Sequence, residues 1–177
     1  MKHRFSNSPA RRSGGFTLIE IMVSVTVLSI GLLGLAGLQA TALRNNQSAF
    51  MRTQASLLAY DLADRMRANP DAVTAGAYSS ETTTASATSD CSTTTGCSTT
   101  AMAANDLYEW TNAVTTYLPL GQGYICIDST PADGSGANAA NAECDGVGSI
   151  FAIKLWWDDN HDGEISGNER FVMSFQP

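Results

Sequence analysis

The sequence predicts an α+β chain in which one long N-terminal helix, membrane-spanning in its first half, carries a small antiparallel-sheet head. Three observations predict it. Residues 21–43 hold no charged side chain, and an apolar run of that length crosses a bilayer as a helix. Beyond Leu43, apolar residues recur at helical spacing as far as Met66. Downstream of Pro119, three short apolar segments are separated by stretches rich in Gly, Ala and Asn, the pattern of strands joined by loops.

The first element is one helix over residues 16–69. Residues 16–43 are apolar all round, as a membrane span or filament core must be. Gly31, Gly34 and Gly37 interrupt this part, each weakening a helix interior by about 1 kcal/mol relative to Ala. They serve either close helix packing or a segment that loosens on assembly. Residues 44–69 are amphipathic: Leu43, Phe50, Leu57, Leu58, Leu62 and Met66 form a stripe, with Arg44, Arg52, Asp61 and Arg65 off it. Asp61, Asp64, Arg65 and Arg67 read as a solvated face. Asn69-Pro70 supplies the stop, because the residue before proline is pushed out of the helical region.

Residues 70–177 form the head. Within it, 79–101 is mostly Ser, Thr and Ala, with too little apolar surface to offset the entropy of ordering, and reads as a long surface loop. A second helix opens at Asn105, carries Leu107, Trp110, Val114, Tyr117 and Leu118 at helical spacing, and ends before Pro119; at that spacing Trp110 is a core residue. The strands are 123–128, 150–157 and 171–175, the last two forming a hairpin. Four cysteines, Cys91, Cys97, Cys126 and Cys144, fit an oxidising compartment and allow three pairings. Short loops favour Cys91 with Cys97 and Cys126 with Cys144. A zinc site is disfavoured, since nearby histidines and paired C-x2-C spacing are both missing.

Glu20 sits near the start of the apolar run, where a lone carboxylate costs a few kcal/mol and needs a partner or a function. Cleavage after Gly15 would supply one, because Phe16 then becomes an amino terminus close to Glu20. The preceding residues 1–15 carry Lys2, Arg4, Arg11 and Arg12 and no acid, which keeps this end cytoplasmic and sends the rest across. A secretory signal would have a shorter apolar run and a small-x-small cleavage site at its end. A plain anchor would have no use for Glu20.

A basic leader, Gly15 at the cut, the aromatic Phe16 after it and Glu20 five residues into the mature chain together resemble the N-terminal signature of type IV pilins and pseudopilins. The resemblance implies removal of residues 1–15 by a prepilin peptidase in the inner membrane and N-methylation of Phe16. It also implies that Glu20 neutralises the Phe16 amine of a neighbouring subunit during filament assembly. The run from Ser29 to Gln39, and the order D-L-x-x-W, amphipathic helix, L-P-x-G, Cys-containing strand, are similar to the PilV group of minor pilins, also called type IV pilus modification proteins. That likeness implies a minor pilin that primes pilus assembly at or near the tip, with other minor pilins, the major pilin and a tip adhesin as partners. The expected place is the inner membrane, single-pass, with a cytoplasmic N-terminus and a periplasmic head, then the pilus surface. The rivals are a minor pseudopilin of a type II secretion system and a surface adhesion module.

One further constellation could carry chemistry. Asp158-Asp159-Asn160-His161-Asp162-Gly163-Glu164-Ile165-Ser166-Gly167-Asn168-Glu169 fits the calcium-loop pattern D-x-[DN]-x-[DN]-G-x5-E at every specified position. Asp158, Asn160 and Asp162 would offer side-chain oxygens, Glu164 its carbonyl, Ser166 a water and Glu169 a bidentate carboxylate. The flanks read as strands rather than helices, and an acidic turn favoured for backbone reasons is the alternative. Any calcium would be structural.

Losing Lys2, Arg4, Arg11 and Arg12 takes the formal charge from -7 to -11, which argues against nucleic acid as a partner. With only His3 and His161 as histidines, and no nucleophile elbow, phosphate loop or dinucleotide fingerprint, the expectation is an assembly component rather than an enzyme.

Overall fold

In the computed structural model, which describes residues 14–80, 85–134, 141–165 and 170–177, the first element is helix α1, Leu18–Ala68. The chain divides into two units, Met1–Leu43 and Arg44–Pro177. In the first, every described residue is exposed, and α1 is long and apolar enough to cross a membrane. Its few hydroxyls are turned onto their own helix: Ser24, Thr26, Ser29 and Thr41 donate to the carbonyls of Glu20, Met22, Val25 and Gly37 at 2.7, 2.8, 2.7 and 3.1 Å. Each of these hydroxyls is thereby satisfied without water, which an apolar surrounding demands. Gly31, Gly34 and Gly37 do not interrupt α1, and a Cβ on any of them would meet open space.

In the second unit, α1 buries Ala55, Leu58, Ala59, Leu62, Ala63 and Met66. The expected stripe divides here. Leu43, Phe50 and Leu57 remain 69, 56 and 58% exposed, because they recur every seven residues along a line about one residue's rotation away from Leu58, Leu62 and Met66. The stop at Asn69 is also only a break, since Pro70 opens a one-turn helix α2, Pro70–Thr74, in the position where its missing N–H costs nothing.

The segment 79–101 contains a 3-10 turn at Ser89–Ser92, and its end is already helical: α3 runs Thr99–Tyr117, six residues earlier than the expected start at Asn105. Ser98 is the reason. Its hydroxyl accepts the Ala101 N–H at 3.2 Å, a cap worth about 1 kcal/mol, and the alanines that follow propagate the helix. Trp110 is buried in the core between α1, α3 and the sheet.

The sheet is antiparallel in the order β1-β2-β3, with β1 Gln122–Ile127, β2 Phe151–Trp156 and β3 Arg170–Phe175. Ile153 pairs with Ile125 on one side and Met173 on the other. All six β2 residues are buried, so both faces of this strand are covered. Phe151, Ile153 and Leu155 join the core with α1 and α3. On the opposite face Trp156 packs with Tyr124, Cys126 and Ala142, the last supplied by the β1–β2 connection. That connection is tied down by the Cys126–Cys144 disulfide and by the Arg170 guanidinium, which donates to the carbonyls of Ala132 and Gly134. Cys91 bonds Cys97, and no cysteine is free.

Candidate functional site

The N-terminal constellation is built by the start of α1. Thr17 stands just before the helix, and its hydroxyl accepts the Glu20 N–H at 3.3 Å, while its carbonyl accepts the N–H groups of Glu20 and Ile21. Thr17-x-x-Glu20 thus has the spacing of a capping box, and Glu20 lies in the first helical turn, where the helix dipole favours a negative charge. The local backbone therefore favours a carboxylate at this position. Phe16 is 81% exposed and Gly15 is exposed beside it. The exposed Gly15–Phe16 peptide bond and the Glu20 carboxylate thus lie at the same end of an apolar helix.

The acidic loop after β2 is ordered by its own side chains. Asp158 is buried, and its two oxygens accept the N–H groups of Asp162 and Gly163 at 3.2 and 2.9 Å. Asn160 Oδ1 accepts the Asp162 N–H and Asp162 Oδ1 the Glu164 N–H, at 2.8 and 2.9 Å. Gly163 has φ +88°, a conformation that glycine adopts without strain. The loop is anchored outward as well: Asp159 accepts from Trp157 Nε1 at 2.9 Å and from the Ser48 hydroxyl at 2.6 Å, and His161 Nε2 lies 3.2 Å from Gln47 Nε2. Gln47, Ser48, Arg44, Asn45, Asp159, Asn160 and His161 border one polar cleft. Ile165 packs toward Trp156. Ser166 and Glu169 lie outside the described residues.

In this loop the side-chain oxygens of Asp158, Asn160 and Asp162 keep lone pairs after those bonds. Its acidic groups nevertheless do not draw together: among the described residues, the one group of three metal-ligating side chains with donor atoms within 4.8 Å is Cys126, Asp128 and Cys144. There the two sulfurs are bonded to each other and cannot act as thiolate ligands.

A polar cluster that sequence reasoning assigned to solvent joins α1 to α3. Arg65 pairs with Asp61, Asp106 and Glu109 at 3.0, 3.2 and 2.7 Å. Burial opposes its charge, but the hydrogen bond to Glu109, the nearby Asp61 and the bond to Asp106 outweigh this and hold its pKa above the ordinary value. Burial and a 2.5 Å hydrogen bond to Asp106 Oδ2 push the Tyr78 phenol up. Hydrogen bonds from Arg65 and then Asn105 hold the Glu109 carboxyl down. Its groups are mutually paired, and this cluster acts as a clasp between helices.

Comparison with known families agrees with the N-terminal geometry. The model of the prokaryotic N-terminal methylation motif matches residues 10–36, and the model described as Type IV pilin Tt1218 matches residues 37–108. The two matches meet in α1 and reach into α3 as far as Tyr108. No curated protein and no solved structure matches the chain.

Proposed function

Because the chain belongs to the type IV pilin-like superfamily, we propose that it is a minor pilin, similar to the PilV group, that primes pilus assembly at or near the tip. Prepilin peptidase cuts after Gly15 and Phe16 is methylated. The processed chain rests in the inner membrane through residues 16–43 with its head in the periplasm, then enters a complex with other minor pilins and the major pilin. Glu20 is the observation that carries this reading: it is exposed in the first turn of α1, whose apolar part over residues 18–43 is exposed throughout, where a carboxylate facing hydrocarbon gains most from a neighbour's Phe16 amine. The exposed Leu43, Phe50, Leu57 and Tyr60 support the same reading, since they extend an apolar face for other helices beyond the membrane segment. The variant Glu20→Ala is expected to be processed normally yet recovered at a small fraction of the wild-type level with the other minor pilins. Recovery at the wild-type level would overturn the role given to Glu20.

A second reading concerns the loop after β2. Its D-x-N-x-D-G spacing, with three side chains already turned onto the backbone N–H groups of residues 162–164, supports a structural calcium held by Asp158, Asn160, Asp162, the Glu164 carbonyl, Ser166 and Glu169. The ion would fix the β2–β3 hairpin. Titration of the chain with calcium should raise its melting temperature, and Asp162→Ala should abolish the increase. An unchanged melting temperature at millimolar calcium would dispose of the site.

A further inference from the structure

Lys154, in the middle of β2, is wholly buried. Its Nζ lies 2.6 Å from Oδ2 of Asp128, which is equally buried. The same nitrogen donates to the Ala142 carbonyl at 2.6 Å and to Asp133 Oδ1 at 2.9 Å, with a longer 3.4 Å bond to the Asp133 carbonyl. The approach to Asp128 is of another kind. Close as it is, it lacks hydrogen-bond alignment, and Oδ2 accepts no hydrogen bond among the described residues. The N–H groups of Lys154 are thus directed at Asp133 and Ala142. An ordinary ion pair would aim one of them at Oδ2, because burying two charges is compensated only by good geometry. Nζ instead meets the Asp128 carboxyl without an N–H aimed at Oδ2.

The groups around this pair are those that acyl transfer needs. Oδ1 of Asp128 accepts the main-chain N–H of Thr130 at 3.0 Å, placing a fixed donor where negative charge would develop on a tetrahedral carbon. The Thr130 hydroxyl donates to Asp133 Oδ2 at 2.6 Å and lies 3.4 Å from Asp128 Oδ1. Asp133 touches the amine and is 37% exposed at its side chain, which gives the site a proton acceptor with access to solvent. The Thr130 hydrogen bond first, and Lys154 second, hold its carboxyl below the ordinary range, so it is present as the carboxylate at neutral pH.

We propose that Lys154 and Asp128 condense into an intramolecular isopeptide bond. Proton transfer within the buried pair gives a neutral amine and a carboxylic acid with no change in net charge. Nζ attacks Cγ of Asp128, and the electron pair of the C=Oδ1 bond is received on Oδ1 against the Thr130 N–H. Asp133 takes a proton from the nitrogen and returns it to Oδ2, which leaves as water. One C–N bond forms, one C–O bond breaks, one water is released, and no oxidant or cofactor enters. Burial of both partners excludes the water that would reverse the step. The product is a second clamp beside Cys126–Cys144 that a reductant cannot open, joining the residue after β1 to the centre of β2.

The test uses the full-length chain purified in detergent, reduced, alkylated and digested with trypsin. No Lys or Arg lies between Arg67 and Lys154 or between Lys154 and Arg170, so an unlinked chain is cut at Lys154 into fragments 68–154 and 155–170. The proposal predicts one uncut fragment, 68–170, lighter than its sequence mass by one water. Asp133→Asn should restore cutting at Lys154 and the full mass in most of the protein. Complete cutting of the wild-type chain at Lys154, with both fragments at full mass, would overturn the proposal. A fully linked Asp133→Asn variant would overturn the proton-transfer role of Asp133.

Discussion

Trp110 Nε1 donates a 2.9 Å hydrogen bond to the main-chain carbonyl of Leu58, joining α3 to α1 at the centre of the core. The same ring closes over β1: a Cβ on Gly123 would run into Trp110 and the Leu155 side chain. Helix, helix and strand therefore meet at one indole. Trp110→Phe should cost about 0.5–1.5 kcal/mol through the lost hydrogen bond, and Trp110→Ala about 3–5 kcal/mol through the cavity. Gly123→Ala should cost about 1–3 kcal/mol by overpacking. Denaturant unfolding followed by circular dichroism measures all three, and equal costs for Phe and Ala at Trp110 would refute this division.

The Arg65 clasp gives a pH dependence with a definite sign. Glu109 has its carboxyl held below the ordinary value of 4.5, so its contribution is fully present above that value and is lost as pH falls below it toward the folded-state value. Its side chain is 47% exposed, so screening limits the effect and Glu109→Gln should cost less than about 1 kcal/mol at neutral pH. The variant should also show a shallower loss of stability below pH 4.5 than the wild type. Tyr78→Phe is the stronger perturbation, expected at about 1.5–3 kcal/mol because it removes a donor from the buried Asp106 carboxylate.

Much of this architecture is readable in the sequence, and the exceptions have physical causes. Hydropathy reveals α1 because apolar composition over that length has few other uses, and period-two alternation reveals β3. The start of α3 is hidden because Ser98, Thr99 and Thr100 look like the loop before them, although Ser98 is a cap. The seven-residue spacing of Leu43, Phe50 and Leu57 imitates the core stripe, and only the buried partners of Leu58, Leu62 and Met66 separate the two faces. Arg65 and Lys154 were the least visible. A charge in an amphipathic helix is ordinarily solvated, and a single Lys among apolar strand residues gives no hint of Asp128 and Asp133 until the β1–β2 connection folds back. The signal available was the coincidence of a lone strand lysine with two aspartates in the preceding loop.

The two disulfides should differ in worth. Cys91–Cys97 closes a separation of 6 residues and Cys126–Cys144 one of 18, which in the chain-entropy model correspond to about 2 and about 3 kcal/mol. The second also holds the cover over Lys154 and Trp156. Replacing Cys126 and Cys144 together by Ser should therefore lower the unfolding midpoint more than replacing Cys91 and Cys97. The reverse order in matched denaturation curves would show that the connection is held mainly by other contacts.

The glycines of the apolar helix separate folding from assembly. Gly31, Gly34 and Gly37 face open space in the single chain, so Ala at each should stabilise the helix by about 1 kcal/mol. Membrane insertion and yield should be unchanged. A loss of recovery with other pilins, measured by co-purification, would locate a close contact with a neighbouring helix.

The most direct test of the minor-pilin account is deletion of the gene, with sheared surface pili and secreted enzymes scored in the same cultures. The account predicts loss or strong reduction of pili with secretion intact, restored by the wild-type gene and not by Glu20→Ala. Intact pili with lost secretion would contradict it and assign the chain to a type II secretion system.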